Sequence, residues 1–150
     1  MTVNKIDEVL RYAIEKEQEA HDFYLELAKK MDRIEMKDTF LQFAREELGH
    51  KAKLEAALKE HRLRPSPEKV LDLRIADYLV EVDPAQELDF ARALILAMQR
   101  EKAAFRLYTD LARASEDPEV KLTFLSLAQE EAKHKLRFEI EYDEVVLVEN

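Results

Sequence analysis

Apolar residues recur three and four positions apart through four stretches of the chain. Leu10, Ala13, Ile14, Ala20, Tyr24, Leu27 and Met31 keep to one face of a helical repeat, which predicts a first amphipathic helix. Phe40, Phe43, Ala44, Leu54 and Leu58 predict a second, whose pattern ends at Arg64-Pro65. Leu94, Ala97, Met98, Phe105, Tyr108 and Leu111 predict a third. The fourth carries Leu122, Leu125, Leu127, Ala128, Leu136 and Phe138, and Asp117-Pro118 before it reads as an N-cap followed by a proline at the first helical position. About six residues, near Asp32 to Lys37, join the first two helices, and a similar turn joins the last two. Between the second and third lie more than about 20 residues, long enough to run the length of a bundle.

The pattern is duplicated. Shifted by 84 positions, the chain aligns on itself without a gap: Ala13, Glu17, Ala20, Tyr24, Leu27 and Ala28 fall on Ala97, Glu101, Ala104, Tyr108, Leu111 and Ala112. Thr39-Phe40-Leu41, Ala44, Glu46-Glu47, His50-Lys51 and Glu55 fall on Thr123-Phe124-Leu125, Ala128, Glu130-Glu131, His134-Lys135 and Glu139. About 18 of roughly 50 paired positions are identical, well above what composition alone would produce. The expected architecture is all-α: a four-helix bundle made of two helical hairpins joined by a long crossover. It forms one domain over 1–150, with repeat halves about 5–63 and 89–143 and a crossover about 64–88. Within the crossover, Leu71 to Val82 is apolar enough to pack along the outside of the bundle with a helical turn.

Composition agrees and narrows the chemistry. One Gly and four Pro leave little material for hairpin turns, and 47% apolar residues suffice for one core. A formal charge of −9 argues against nucleic acid or anionic lipid as a partner. The absence of cysteine removes disulfides, iron–sulfur clusters and thiol catalysis. The longest apolar run, Ala93 to Met98, is far too short to span a membrane, and Met1 to Glu8 has no hydrophobic signal core, so a cytoplasmic location is expected.

What interrupts the apolar faces is acidic. Glu17 is flanked on its face by Ala13, Ile14, Ala20 and Tyr24, and Glu101 by Ala97, Met98, Ala104 and Tyr108. Glu47 sits amid Phe40, Phe43, Ala44 and Leu54 with His50 one turn later; Glu131 sits amid Phe124, Leu127, Ala128 and Phe138 with His134 one turn later. Four buried carboxylates would be costly, by several kcal/mol each, unless a compensating charge joins them. Two divalent cations would supply it, and a set of four Glu and two His suits iron or manganese. A Glu from each of two helices and a Glu-x-x-His from each of two others is the general template of di-iron carboxylate bundles. A lone Glu-x-x-His is weak, since composition alone yields about 0.6 of them here, but two in repeat register on apolar faces are specific. The alternative is a polar network of buried Glu and His without metal.

Neighbouring residues are candidates for support. Glu46 and Glu130 could hydrogen-bond the outer nitrogen of the opposite repeat's histidine, or simply lie on solvated flanks. Tyr24 and Tyr108, two turns from Glu17 and Glu101, could hydrogen-bond a ligand, take part in electron transfer, or fill the core. His21 and His61 lack a Glu three residues before them and read as surface or boundary residues, and the tail Val145 to Val148 has no assigned role.

Glu17 with Phe23-Tyr24, Glu47-x-x-His50, Glu101 with Tyr108, and Glu131-x-x-His134 together resemble the ferritin-like superfamily and, within it, the rubrerythrin-like branch. The resemblance covers nearly the whole chain. It implies a centre of two iron ions, with manganese or a mixed pair also compatible, that reduces hydrogen peroxide or dioxygen. Glu17, Glu47, His50, Glu101, Glu131 and His134 would be both metal ligands and catalytic set: Glu17 and Glu101 terminal, Glu47 and Glu131 bridging, His50 and His134 supplying nitrogen. Two departures matter. The four-cysteine iron site of rubrerythrins proper is missing, so electrons would come from an external donor such as a rubredoxin-like protein. An extra glutamate that rubrerythrins place one turn after the third-helix ligand is Ala104 here, which makes the inferred site symmetric, closer to bacterioferritin centres. An oxidoreductase is the leading expectation. A ferroxidase or iron-handling protein without a storage shell, a di-metal oxygenase, and a bundle with purely structural metal are the alternatives. A homodimer is expected, because nothing resembles the fifth helix that closes ferritin shells.

Overall fold

In the computed structural model the described residues are 5–82 and 89–148, and among them every regular element is helical. The chain divides into two compact units, Met1–Asp72 and Leu73–Asn150.

The first unit contains α1 (Lys5–Lys29), α2 (Ile34–Lys59) and the single turn α3 (Pro67–Val70). α1 and α2 pack as an antiparallel pair: Tyr24 meets Phe43 edge-on at 6.3 Å, and Lys51 near the middle of α2 donates to Gln18 at 2.7 Å. The connection between them is Lys30–Arg33, shorter than expected, because Ile34–Lys37 already belong to α2. α2 ends at Lys59 rather than at the proline. His61 and Leu63 both take positive φ, 54° and 55°, a conformation that disfavours side-chain-bearing residues and breaks the helical run without a glycine. Arg64 then ties this exit back to α1, with one guanidinium nitrogen on Asp7 and the other donating to His61 Nδ1 at 2.8 Å.

The second unit contains a 3-10 turn (Ile75–Tyr78), α4 (Phe90–Arg113) and α5 (Pro118–Val148). Asp89 caps α4 by accepting from Arg92 N at 2.8 Å. Asp117 accepts from Glu119 N at 2.9 Å and Pro118 is the first residue of α5, as its dipeptide predicts. α4 and α5 again pack as antiparallel neighbours, with Tyr108 stacked on Phe124 at 6.5 Å. Val145 to Val148 extend α5, and their side chains lie outside the described residues.

Three further sequence expectations need correction. In α5 the buried line is Phe124, Leu127, Ala128, Glu131, His134 and Phe138, while Leu122 and Leu136 are largely exposed and Leu125 partly so. Leu125 is one residue out of that register and Leu122 and Leu136 two, which turns them about 100° and 200° round the helix. Phe105 of α4 is likewise partly exposed. Among the described residues the crossover is held by Arg64 on Asp7, by the buried Pro65 and Val70, with α3 packing on α1, and by Tyr78, whose turn packs on α4. Leu71, Leu79 and Val82 are exposed, and residues 83–88 of the crossover lie outside the described residues. Among the described residues no helix is long and apolar enough to cross a membrane.

Candidate metal centre

Each hairpin assembles the same three donors. In the first, α1 contributes Glu17 and α2 contributes Glu47 and His50, one turn apart on the face that packs against α1. All three are buried, at 2%, 1% and 4% exposure. One ligand atom from each lies within 4.8 Å of the others. His50 Nδ1 is 3.4 Å from Glu17 Oε2 and 3.8 Å from Glu47 Oε1.

In the second hairpin α4 contributes Glu101 and α5 contributes Glu131 and His134, at 2%, 1% and 2% exposure. Their ligand atoms again fall within 4.8 Å of one another, and His134 Nδ1 is 3.6 Å from Glu101 Oε1. Residues 84 positions apart in the sequence thus come together in the same way within each hairpin.

The donor set fits a divalent metal. Two donors bound about 2.1 Å from one ion stand roughly 3.0–3.4 Å apart, and the His–Glu separations of 3.4, 3.8 and 3.6 Å lie close to that range. Two carboxylates carry two negative charges into a site that water barely reaches, and one divalent ion balances them. Imidazole with carboxylate is a donor mixture that iron and manganese accept, and three protein donors leave coordination positions open.

The surroundings keep each half-site dry. Tyr24 and Tyr108 are both 1% exposed, two turns along the same helix faces as Glu17 and Glu101, and both join aromatic pairs with the facing helix. Glu46 is half-buried and Glu130 exposed. His21 is a boundary residue: its Nδ1 donates to the Ala44 carbonyl at 2.9 Å and ties α1 to α2. His61 is exposed at the exit of α2.

A family model described as Rubrerythrin matches residues 8–142. The chain belongs to the rubrerythrin family. Its fold is therefore that of the ferritin-like superfamily, two helical hairpins joined by a long crossover, and no rubredoxin domain is evident in these 150 residues. Family membership implies a di-iron centre, and the buried Glu and His clusters are groups able to bind metal. No curated protein matches the chain, and neither does any solved structure.

Two buried ionisable arrangements escaped the sequence reading. Tyr78 donates its hydroxyl to Asp110 at 2.7 Å, and burial together with that carboxylate raises its pKa well above the ordinary tyrosine value. Glu141, 4% exposed, pairs with Arg137 at 3.0 Å. Neither has a counterpart in the other repeat: Glu141 aligns with Ala57, and Tyr78 lies in the crossover. Symmetry, the signal that picks out the candidate ligands, cannot reveal them.

Proposed function

We propose that the protein is a cytoplasmic di-iron oxidoreductase that reduces hydrogen peroxide or dioxygen with electrons from a separate donor protein. The observation that carries this reading is the pair of buried Glu/Glu/His half-sites in a chain of the rubrerythrin family. Glu17, Glu47 and His50 would hold one iron and Glu101, Glu131 and His134 the other. When bound, the two ferrous ions supply the two electrons that cleave one O–O bond.

The protein's own contribution is electrostatic and steric. Two carboxylates per iron favour the more highly charged oxidised metal, because each additional unit of positive charge meets fixed negative charge in a poorly solvated interior. The histidines add neutral donors that do not raise the negative count. The buried Tyr24 with Phe43 and the buried Tyr108 with Phe124 form aromatic pairs two turns along from Glu17 and Glu101, so each hairpin interior is apolar beyond its donors. With no cysteine in the chain, reducing equivalents must arrive from outside.

A second reading, oxidation and release of iron as cargo, is favoured by one feature: Ala104 stands where a further carboxylate would complete an asymmetric set. Stopped-flow mixing separates the two. Reduced, iron-loaded protein should be oxidised faster by peroxide than by dioxygen, and should return to the same state through repeated cycles with no ferric mineral. Faster reaction with dioxygen and growing ferric mineral would replace the oxidoreductase reading with iron handling.

A further inference from the structure

The two hairpins share their ligands but not their outer faces. In the second unit a groove of about 410 Å³ opens to solvent between α4 and α5, floored by Phe105, Ala132 and Leu136 and rimmed by Lys102, Arg106 and Lys135. Phe105 and Leu136 are 38% and 57% exposed, an unusual share of apolar surface for helices whose opposite faces are already buried. Glu139, the one acid in the lining, is taken up by an ion pair with Lys135, and the Arg106 guanidinium lies 6.0 Å from the centre of the Tyr78 ring.

In the first hairpin polar bonds tie the matched positions of α1, although Leu48, which matches Ala132, is itself 38% exposed. There Lys51 donates to Gln18 at 2.7 Å, Gln18 donates to Asp22 at 2.9 Å, and His21 donates to the Ala44 carbonyl at 2.9 Å. In repeat register, Gln18 and Asp22 correspond to Lys102 and Arg106, His21 to Phe105, and Ala52 to Leu136. The first pair carries −1 and the second +2, a swing of three charges toward the cation on a chain whose net charge is −9. The Lys and the Glu, Lys51/Lys135 and Glu55/Glu139, are retained. At these positions the second hairpin thus replaces hydrogen-bonded polar groups with an apolar floor and added cations.

Resting on the di-iron reading above, we propose that this groove docks the electron donor, a small acidic one-electron carrier protein with an apolar contact patch. The cationic rim selects an acidic partner and speeds its encounter, and the apolar floor supplies the desolvated centre of the contact. Lys102 and Lys135 directly follow Glu101 and His134 in the chain, so a docked donor is separated from these ligands by little more than the thickness of one helix, about 10 Å. Two reduced carriers each lose one electron. The iron pair is thereby reset after one peroxide has taken two electrons and two protons and left as two waters. A second copy of this chain is disfavoured as occupant, because a two-fold contact through the groove would set Lys102 and Arg106 against their own copies.

The test transplants the first repeat's residues into the second: Lys102→Gln with Arg106→Asp, and separately Phe105→His with Leu136→Ala. Reduced rubredoxin, an acidic one-iron carrier, is the probe. In the binding arm it is titrated against the iron-loaded protein at low salt. Wild type should bind, the charge swap should weaken binding at least about tenfold, the floor swap should weaken it as well, and about 0.3 M salt should erase most of the wild-type affinity. In the kinetic arm, re-reduction of the oxidised protein by rubredoxin should slow by about the same factor in the charge swap, while re-reduction by ascorbate holds. Helix content and iron content of each variant are matched to wild type beforehand. No rubredoxin binding by wild type, or equal binding by wild type and both variants, overturns the proposal. A wild-type dimer that the swaps convert to monomer also overturns it, in favour of a second copy. Failure of ascorbate to re-reduce wild type sinks the oxidoreductase reading instead, and the binding arm still decides the groove.

Discussion

Replacing Glu47 with glutamine should have opposite effects with and without metal. Glu17, Glu47 and His50 are at most 4% exposed, so in the metal-free protein two carboxylates and one imidazole share a poorly solvated space. Whether balanced by the imidazole or by a shared proton, two carboxylates crowded there hold poorly solvated charge at a cost of up to several kcal/mol. Glu47→Gln keeps the shape and removes that charge. It should raise the metal-free stability by about 1–2 kcal/mol, or about 2–8 °C in midpoint for a chain of this size. Iron reverses the sign. A metal at 1,000 times its dissociation constant stabilises the fold by about 4.1 kcal/mol per site, which corresponds to about 8–16 °C in the wild type. The variant, lacking one of three donors, should lose most of that gain from its first half-site. Thermal melts followed by circular dichroism, run with chelator and again under anaerobic ferrous iron, read both signs on the same two proteins. A Glu47→Gln protein less stable than wild type in chelator, together with a wild-type midpoint that iron leaves unmoved, would refute the reasoning.

Three further outcomes are expected. His50→Ala and His134→Ala should each lower bound iron, measured by elemental analysis, from about two to about one per chain, since each removes one of the three donors of one half-site. Gly49→Ala should stabilise the protein by about 0.5–1 kcal/mol in chemical denaturation, because Gly49 lies inside α2 and a Cβ there meets nothing within 4 Å; no gain would mean that α2 uses its flexibility at this point. Tyr78→Phe should cost about 1–2 kcal/mol at pH 7–9 through loss of the hydrogen bond to Asp110. The folded pKa of Tyr78 is raised, so this stabilisation is fully present below the unfolded value near 10 and is lost as pH climbs through the folded value; a gap between wild type and variant that closes below pH 9 would contradict the assignment.

The candidate ligands stood out in the sequence because they recur 84 residues apart. Glu17 and Glu101, Glu47 and Glu131, His50 and His134 stand in one register on apolar faces, and a charge kept twice on a buried face needs a chemical reason. The hairpins were legible for the same reason, from the spacing of Leu10, Ala13 and Tyr24 and of Leu94, Ala97 and Tyr108. Helix α5 was harder to read. Leucines at 122, 125 and 136 alternate with a second apolar line at 124, 127 and 138, and periodicity cannot say which line faces the core. The ligands themselves settle it, since Glu131 and His134 share the register of Phe124 and Phe138. In the crossover, Tyr78 falls in the stretch expected to pack with a helical turn, whereas Val70 was hidden, because an isolated apolar residue in a loop looks the same whether it docks or not. The groove beside α4 and α5 needed the structure: only there do Phe105 and Leu136, from different helices, meet.

Anaerobic titration of the metal-free protein with ferrous iron, followed by Mössbauer spectroscopy and elemental analysis, tests the central claim most directly. Two irons per chain, both lost when Glu17, Glu47, Glu101 and Glu131 are replaced by glutamine, is the expected result. No specific uptake, or uptake that survives those four substitutions, would contradict a di-iron centre built on the buried glutamates and histidines.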